Sequence, residues 1–192
     1  MSYFFTSDQH FGSERTLELS KRPFKSTDEM DQVIIDRFNS KVTNDDIVIH
    51  LGDFGNFDKV KELNGKYHYL IMGNYEQKEM EEKFNNNFEE YSKYIESFGF
   101  SYLQPFYGMT LDFSDILGYD VGSPFVVDLH HCPEDCERYE FNLFGHIHGR
   151  QLVKRYGLDV GVDGHHFYPV SIKDVEFYKT AIEKYYDDNV FE

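Results

Sequence analysis

The sequence predicts an α/β fold with a substantially parallel sheet, because short strand-like segments alternate with segments of helical periodicity. Six runs of β-branched and aromatic residues recur along the chain, and capped amphipathic patterns lie between or after them. We expect one domain, 1–192, because the 192 residues contain no internal repeat and no linker rich in glycine, serine or proline.

The predicted strands are short runs, each ended by polar or glycine residues. They are Tyr3–Ser7, Asp46–His50, Tyr67–Met72, Phe125–Leu129, Phe141–Phe144 and Leu158–Val162. The stretch Ser101–Ser123 contains glycine and aspartate throughout, and we expect hairpin strands and loops there.

A helix is predicted between the first two strands. Ser26 and Glu29 have the spacing of a capping box. The apolar residues that follow repeat at helical spacing and form one face. They are Met30, Val33, Ile34 and Phe38.

Three further segments have helical patterns. Phe57–Asn64 predicts a short helix, with Gly65 at the position of a glycine stop. The charge-dense segment Glu76–Glu96 is expected to be a solvated helical face with a buried aromatic side. That buried side would consist of Phe88, Tyr91, Tyr94, Ile95 and Phe98. Ser171–Tyr185 predicts a helix capped by Ser171 and Asp174, whose inward residues are Val175, Tyr178, Ile182 and Tyr185.

The composition excludes several classes of protein. With 19 Lys+Arg against 35 Asp+Glu, the formal net charge of −16 argues against binding of long nucleic acids. No apolar run is long enough to span a membrane, and the N-terminal residues lack the basic segment of a signal peptide. Only two cysteines, Cys132 and Cys136, are present, which fits a reducing compartment and predicts a cytoplasmic location. We expect no membrane partner.

Polar residues follow the predicted strands at the points where each ends. In open α/β sheets, ligands bind outside the carboxyl ends of the strands, so these residues are expected to meet at one rim. The segments concerned are Asp8-Gln9-His10, Gly52-Asp53, Gly73-Asn74, His130-His131 and Gly145-His146-Ile147-His148. Imidazole and carboxylate ligands together suit Mn, Fe, Ni or Zn. Two such ions would bring the positive charge that a phosphate site in this acidic chain requires.

These motifs, in this order, resemble those of the calcineurin-like metallophosphoesterases, over almost the whole chain. The segments Ser7-Asp-x-His-Phe-Gly12, Arg22-Pro-Phe24, His50-Leu-Gly-Asp53 and Val160-Gly-Val-Asp163 resemble the small bacterial and phage branch. The resemblance implies a four-layer αββα sandwich, in which two mixed β-sheets are flanked by helices and a dinuclear site lies at the strand ends.

The resemblance also implies a ligand set. Asp8, His10 and His148 would hold the first metal ion. Asn74, His131 and His146 would hold the second ion, and Asp53 would bridge the two. His131 is preferred to its neighbour His130 because His131-Cys132-Pro133 matches the family's His-x-Pro pattern, with His130 as the alternative ligand. We expect two divalent transition-metal ions, most simply Mn, with Fe, Ni or Zn as alternatives.

The expected activity is hydrolysis of phosphate esters by a hydroxide that bridges the two ions, with Asp53, Asn74 and Tyr75 as catalytic residues. Tyr75 stands where many relatives have a histidine thought to protonate the leaving group, and a phenol is a poorer proton donor than an imidazolium. This departure favours a phosphodiesterase acting on a small phosphoester or nucleotide. The alternatives are a general phosphomonoesterase and a catalytically silent binding protein of the same fold.

Two arginines are candidates for binding substrate. A guanidinium matches the geometry of phosphate oxygens, and we predict this role for Arg22 and Arg150. Cys132 and Cys136 do not predict a separate zinc site, because no second spaced pair accompanies them.

Overall fold

The computed structural model describes residues 1–120 and 122–187. It contains ten strands and six α-helices in these residues. The strands are β1 (Tyr3–Thr6), β2 (Ile47–His50), β3 (Tyr67–Ile71), β4 (Tyr102–Gln104), β5 (Met109–Asp112), β6 (Val126–Leu129), β7 (Phe141–Phe144), β8 (Val153–Lys154), β9 (Gly157–Asp159) and β10 (Val170–Ser171). The helices are α1 (Glu14–Leu19), α2 (Thr27–Asn39), α3 (Asn74–Phe84), α4 (Phe88–Glu96), α5 (Ser114–Leu117) and α6 (Ile172–Tyr185). Short 3₁₀ helices span Phe57–Glu62, Pro133–Asp135 and Val162–His165.

The strands form two mixed five-stranded sheets, so the molecule is an α/β sandwich. The first sheet has the order β10-β1-β2-β3-β4, in which β1 to β4 are parallel and β10 is antiparallel. The second has the order β5-β6-β7-β9-β8, with β6, β7 and β9 parallel in the middle. Parallel strands that start together end together, so each sheet presents a row of strand ends at one edge.

The ends of the two sheets meet. Thr6, His50 and Leu70 lie in register at the end of the first sheet. Leu129, Leu143 and Leu158 occupy corresponding positions in the second. The chain beyond β9 then crosses to the first sheet, where Gly161 pairs with Ser7. The loops that follow five strands of two sheets therefore converge on one rim.

Two apolar cores hold the layers together, because side chains of a strand alternate between its faces. On one face of the first sheet, Phe4, Val48 and Leu70 pack with helical residues such as Ile34 and Tyr91. The core between the sheets contains, among others, Phe5, Ile49, Ile71, Val127, Leu129, Leu143 and Leu158, together with Ile172, Val175 and Ile182 of α6.

The helix that the sequence predicts between the first two strands is confirmed as α2. Ser26 Oγ accepts the N–H of Glu29 at 3.2 Å, while the Glu29 carboxylate reaches back to the N–H of Lys25. Met30, Ile34 and Phe38 are buried and Val33 is half-buried. The cap at the start of α6 is also confirmed, with Ser171 and Asp174 forming a reciprocal capping box.

Several local predictions are corrected. The segment Phe57–Asn64 is a 3₁₀ helix that ends at Glu62, ahead of Gly65. The charged segment Glu76–Glu96 is two helices, because Asn85 and Asn86 adopt left-handed conformations between them. Its aromatic side is buried or half-buried as predicted.

The stretch Ser101–Ser123 does not form a hairpin. Its strands β4 and β5 belong to different sheets, where β4 pairs with β3 and β5 pairs with β6. Tyr185, predicted to face inward, is 72% exposed, and Tyr186 packs against the core in its place. None of the helices within 1–120 and 122–187 combines the length and the apolar character needed to cross a membrane.

Candidate metal centre

All seven predicted metal ligands come together at the rim where the strand ends meet. Loops after β1, β2, β3, β6 and β7 carry these residues. They are Asp8, His10, Asp53, Asn74, His131, His146 and His148. The structure brings these residues close together, while their role as metal ligands stays a prediction.

Asp8, His10 and His148 form the first group. One ligand atom of each lies within 4.8 Å of the others. Asp8 Oδ2 accepts the N–H of His146 at 2.8 Å, but Asp8 Oδ1 and His10 Nε2 are buried without any hydrogen-bond partner. Buried polar atoms that lack partners are costly, and these two lie 3.8 Å apart. A cation bound by both would satisfy them, so the residues present fit a metal ion.

Asn74, His131 and His146 form the second group. Asn74 Oδ1 lies 3.0 Å from His131 Nε2 and 3.1 Å from His146 Nδ1, and the two nitrogens are 3.3 Å apart. Ligands bound at about 2.1 Å to one ion stand roughly 3.0 to 3.4 Å from each other. The three atoms therefore already have the spacing of ligands around one ion.

Asp53 lies between the two groups. Its Oδ2 is 3.5 Å from His10 Nε2 of the first group and 3.5 Å from His131 Nε2 of the second. Its Oδ1 accepts the backbone N–H of Tyr75 at 3.0 Å. One carboxylate oxygen thus faces both groups, which is the placement that a bridging ligand needs.

Of the two adjacent histidines, His131 lies among the other candidate ligands. His131 is completely buried, with Nε2 in the second group and Nδ1 hydrogen-bonded to the carbonyl of Leu51 at 2.6 Å. His130 lies beside Gly108, outside both groups. Cys132 also approaches His131 and His146, but burial raises the pKa of its thiol to about 12, which disfavours a thiolate ligand.

The buried charges shift the pKa values of these groups. Burial lowers the pKa of His10 to about 4, so its ring is neutral, as a metal ligand must be. Burial also acts to lower the pKa of His131, but its hydrogen bond to Asp53 and the nearby carboxylates outweigh burial and raise it to about 9. The pKa of Asp53 is lowered, because its contacts with His131 outweigh its burial.

The backbone around the centre is unusual. Five of the seven candidate ligands have positive φ: Asp8 at 58°, His10 at 50°, Asp53 at 54°, His146 at 68° and His148 at 50°. Such left-handed conformations cost energy for residues other than glycine and cluster at functional sites. The turns direct successive side chains towards one point, which an extended strand end could not do.

Arg22 is engaged with partners inside the protein, which disfavours the substrate-binding role predicted for it. Its side chain is fully buried, and its Nε and Nη2 donate to the two carboxylate oxygens of Asp163 at 2.9 and 2.8 Å. The guanidinium also donates to the carbonyls of Asp8 and Gln9. Arg22 therefore holds the loop that carries the first two ligands, and no donor remains for a phosphate. Arg150 is exposed two residues beyond His148, so its role stays a prediction.

Asp163 was missed by the sequence reasoning, although it lies in one of the motifs. Its Oδ2 accepts a hydrogen bond from His148 Nδ1 at 2.8 Å, which leaves Nε2 of that ring for the centre. Burial acts to raise the pKa of Asp163, but His148 and Arg22 outweigh it and lower the pKa to about 2. This carboxylate therefore stays ionised and fixes the orientation of His148.

Glu76 is buried, contrary to the prediction of a solvated face. Its carboxylate accepts the backbone N–H groups of Asp53, Phe54 and Gly73 at 2.8 to 3.0 Å. Burial, together with the charge of Asp53, raises its pKa to about 7. Glu76 ties the turn after β2 to the start of α3, and hence fixes Asp53 relative to Asn74.

His50, the last residue of β2, is a core histidine. It is fully buried and hydrogen-bonded to Gln9 at 2.8 Å and to His68 at 3.1 Å.

Tyr75 lies at the edge of the centre. Its ring packs edge-on against His10, with the ring centroids 5.0 Å apart, and its hydroxyl accepts a hydrogen bond from Arg15. Tyr75 also lines a neighbouring cavity of about 530 Å³, together with Phe57, Tyr94 and Phe98. Nothing in the sequence pattern identified Arg15.

Comparisons with known proteins support the fold and leave the activity open. No protein family model matches the chain. An uncharacterised protein of Methanocaldococcus jannaschii is 27% identical over 180 residues, which cover 88% of this chain and 86% of that protein. The crystal structure of a protein of unknown function from Aquifex aeolicus has a TM-score of 0.61 at 20% identity, covering 92% of this chain and 98% of that chain. The second likeness shows that the same α/β sandwich occurs elsewhere.

Proposed function

We propose that this chain is a phosphoesterase that uses two divalent metal ions, with the four-layer architecture of the calcineurin-like metallophosphoesterases. The observation that carries the proposal is the pair of ligand groups with Asp53 between them. The partnerless atoms of Asp8 and His10 support a cation in the first group, and the close spacing in the second group supports another. The order of the motifs along the chain supports a phosphate ester as substrate.

The candidate ligands have distinct roles in this proposal. Asp8, His10 and His148 would hold one ion, Asn74, His131 and His146 the other, and Asp53 both. When bound, two such ions neutralise charge on phosphate oxygens and make water a nucleophile at neutral pH. Mn is the first choice, since mixed imidazole and carboxylate ligands suit it, and Fe, Ni and Zn share that preference.

The preferred substrate is a small phosphodiester of nucleotide type. Tyr75 lies beside His10, where a hydroxyl group can donate a hydrogen bond but is a weak general acid. A diester with a good leaving group needs less help from an acid than a monoester with a poor one. The acidic surface disfavours long nucleic acids as substrates. Cys132 and Cys136 are free thiols, which is typical of a reducing compartment, and we therefore propose a cytoplasmic location.

The test uses chelator-treated protein with Mn²⁺ added back, and compares hydrolysis of bis-p-nitrophenyl phosphate and p-nitrophenyl phosphate. We expect Mn-dependent cleavage that favours the diester. Asp53→Asn should lower turnover at least about a hundredfold and lower the bound metal, because the shared ligand is lost. Asp45→Asn is the matched control, since Asp45 is exposed and makes the same change of charge.

The outcomes separate the alternatives. Cleavage of the monoester in preference to the diester would favour a general phosphomonoesterase. Two bound Mn²⁺ ions per chain without cleavage of either ester would contradict the proposal and favour a silent binding protein. Normal turnover of Asp53→Asn would contradict the shared two-metal centre.

A further inference from the structure

An exposed arginine and a tyrosine from two different elements meet at the edge of the candidate centre. Arg15, in the first turn of α1, donates from Nη1 to the hydroxyl oxygen of Tyr75. Tyr75 lies in the first turn of α3, directly after the candidate ligand Asn74. Arg15 is exposed, and the tyrosine is 38% exposed, so both can be reached from solvent.

Tyr75 is held in place by residues of the centre itself. Its backbone N–H donates to Asp53 Oδ1 at 3.0 Å. Its ring meets the ring of His10 at 79°, with 5.0 Å between the centroids. The backbone of Tyr75 is therefore held at the shared carboxylate, its ring lies against the first ligand group, and its hydroxyl positions Arg15.

Arg15 lacks an acidic partner among the residues that the structure describes. Among residues 1–120 and 122–187, no carboxylate oxygen lies within 4.0 Å of its guanidinium. Arg22, by contrast, is neutralised by Asp163. In a chain of net charge −16, an arginine held beside the candidate centre without an acidic partner is available to an anion.

The chemistry of the pair leaves two kinds of donor free. A guanidinium carries five N–H donors and no acceptor, so the Tyr75 oxygen must accept in this contact. The phenolic hydrogen is then free to be donated elsewhere, as are the remaining N–H groups of Arg15. Phosphate oxygens are acceptors that match such a set of donors.

We propose that Arg15 and Tyr75 together bind a non-bridging oxygen of the substrate's phosphate, an inference that rests on the proposed phosphoesterase function. Arg15 supplies charge and N–H donors, and Tyr75 supplies an O–H donor and fixes the guanidinium. This pair takes the role that was predicted for Arg22.

The test measures phosphate binding as well as turnover in the Mn-loaded protein. Arg15→Gln should raise the Kd for inorganic phosphate, measured by calorimetry, and the KM for bis-p-nitrophenyl phosphate, each by about tenfold to a hundredfold. The affinity for Mn²⁺ should stay unchanged, since Arg15 contacts no candidate ligand directly. Lys173→Gln, on the exposed side of α6, removes the same unit of charge and should change neither constant.

A second pair of variants tests whether the two residues act together. Tyr75→Phe removes the phenolic donor and the contact that fixes Arg15, so Arg15→Gln should have a smaller effect in the Tyr75→Phe background than in the wild type. Arg15→Lys should restore part of the phosphate affinity, because it keeps the charge and loses the planar fork.

Each result bears on one proposal or on both. An Arg15→Gln variant that binds phosphate as the Lys173→Gln control does, in a protein whose wild type cleaves the diester, overturns this inference alone. Strictly additive effects of Arg15→Gln and Tyr75→Phe overturn the pairing. A wild type that neither binds phosphate nor cleaves either ester overturns this inference and the proposed function together.

Discussion

Asp163 shows how one buried side chain can serve both the fold and the candidate centre. It accepts hydrogen bonds from His148 and from Arg22, and Arg22 in turn binds the carbonyls of Asp8 and Gln9. The carboxylate therefore connects the loop after β7 with the loop after β1. Residues that orient a metal-binding histidine in this way affect metal affinity without touching the ion.

Replacement of Asp163 should weaken metal binding at one group only. We expect Asp163→Asn to lower Mn²⁺ affinity at the Asp8, His10 and His148 group by about tenfold to a hundredfold. The amide is uncharged and keeps one acceptor oxygen, for which His148 and Arg22 then compete. The group of Asn74, His131 and His146 should keep its affinity. Titration against a chelating indicator resolves the two constants.

Two checks accompany that experiment. Asp115→Asn, an exposed aspartate at α5, is the control with the same chemical change. Because Asp163→Asn also leaves the Arg22 guanidinium with less counter-charge, the thermal midpoint should fall, and circular dichroism must show that the variant is folded at the titration temperature. A folded variant with two unchanged Mn²⁺ affinities would refute the role assigned to Asp163.

At the scale of elements, the turns that end the strands depend on close packing. Gly145 lies between β7 and the first histidine of the His146-x-His148 segment. A Cβ atom at Gly145 would lie 2.1 Å from Ser7 Oγ and 2.3 Å from Asp8 Oδ2. The absence of a side chain here lets the loop after β7 approach the loop after β1.

Gly145→Ala should therefore separate the two loops. We expect a loss of about 1 to 3 kcal/mol in the free energy of unfolding and weaker Mn²⁺ binding at the first group, because Asp8 must move away from the added methyl group. Gly122→Ala is the matched control, since nothing lies within 4 Å of a Cβ atom there. Denaturant unfolding and Mn²⁺ titration are measured for both variants. If Gly145→Ala behaves like Gly122→Ala, close packing at Gly145 does not hold the two loops together.

The strand ends were predictable from sequence because the evidence for them is local. Short runs of β-branched and aromatic residues followed by glycine and polar residues identify where a strand stops, and parallel strands then place those stops on one edge. The pattern predicts that Asp8, Asp53 and His146 share one rim, and they lie close together in the structure. The assignment of β4 and β5 to different sheets was not predictable, because short strands carry no information about their distant partners.

Side-chain partnerships across long sequence separations explain what else the sequence could not show. Arg22 and Asp163 are far apart in the chain, and a guanidinium that binds phosphate looks the same in sequence as one that binds a buried carboxylate. Glu76 begins a charged segment, and only the fold shows that its carboxylate faces three backbone N–H groups. The contact between Arg15 and Tyr75 joins α1 to α3 and could not have been inferred from spacing.

At the scale of the whole molecule, negative charge is concentrated in the interior next to the centre. Asp8, Asp53, Glu76 and Asp159 are all at most 2% exposed. Burial raises the pKa values of Glu76 and Asp159 to about 7, so ionising all four of these carboxyl groups at once is unfavourable. Cations bound at the rim would offset this charge, as the proposed function requires.

A second buried cluster, away from that charge, makes stability depend on pH. His68 is hydrogen-bonded to His50, which is the titratable group that faces it, and stacks near the ring of Phe38. Burial lowers the pKa of His68 from 6.5 to about 4 and that of His50 well below its usual value. As the pH falls below about 6.5, these two histidines bind protons in the unfolded chain but stay neutral in the folded chain. The stability is therefore present above that value and lost as the pH falls towards 4.

His68→Gln should remove the part of this dependence that His68 contributes, while the part that buried His50 contributes remains. Between about pH 7 and about pH 5, we expect the wild type to lose about 2 kcal/mol more of its free energy of unfolding than the variant, from the shift of a single histidine. Glu76 and Asp159, whose raised pKa values act with the opposite sign, are present in both proteins and cancel in the difference. Urea unfolding at the two pH values measures it, and an NMR titration of the wild-type His68 ring checks the midpoint near 4 independently. Equal pH dependence in the two proteins, or a His68 midpoint near 6.5, would show that His68 is not a source of the dependence.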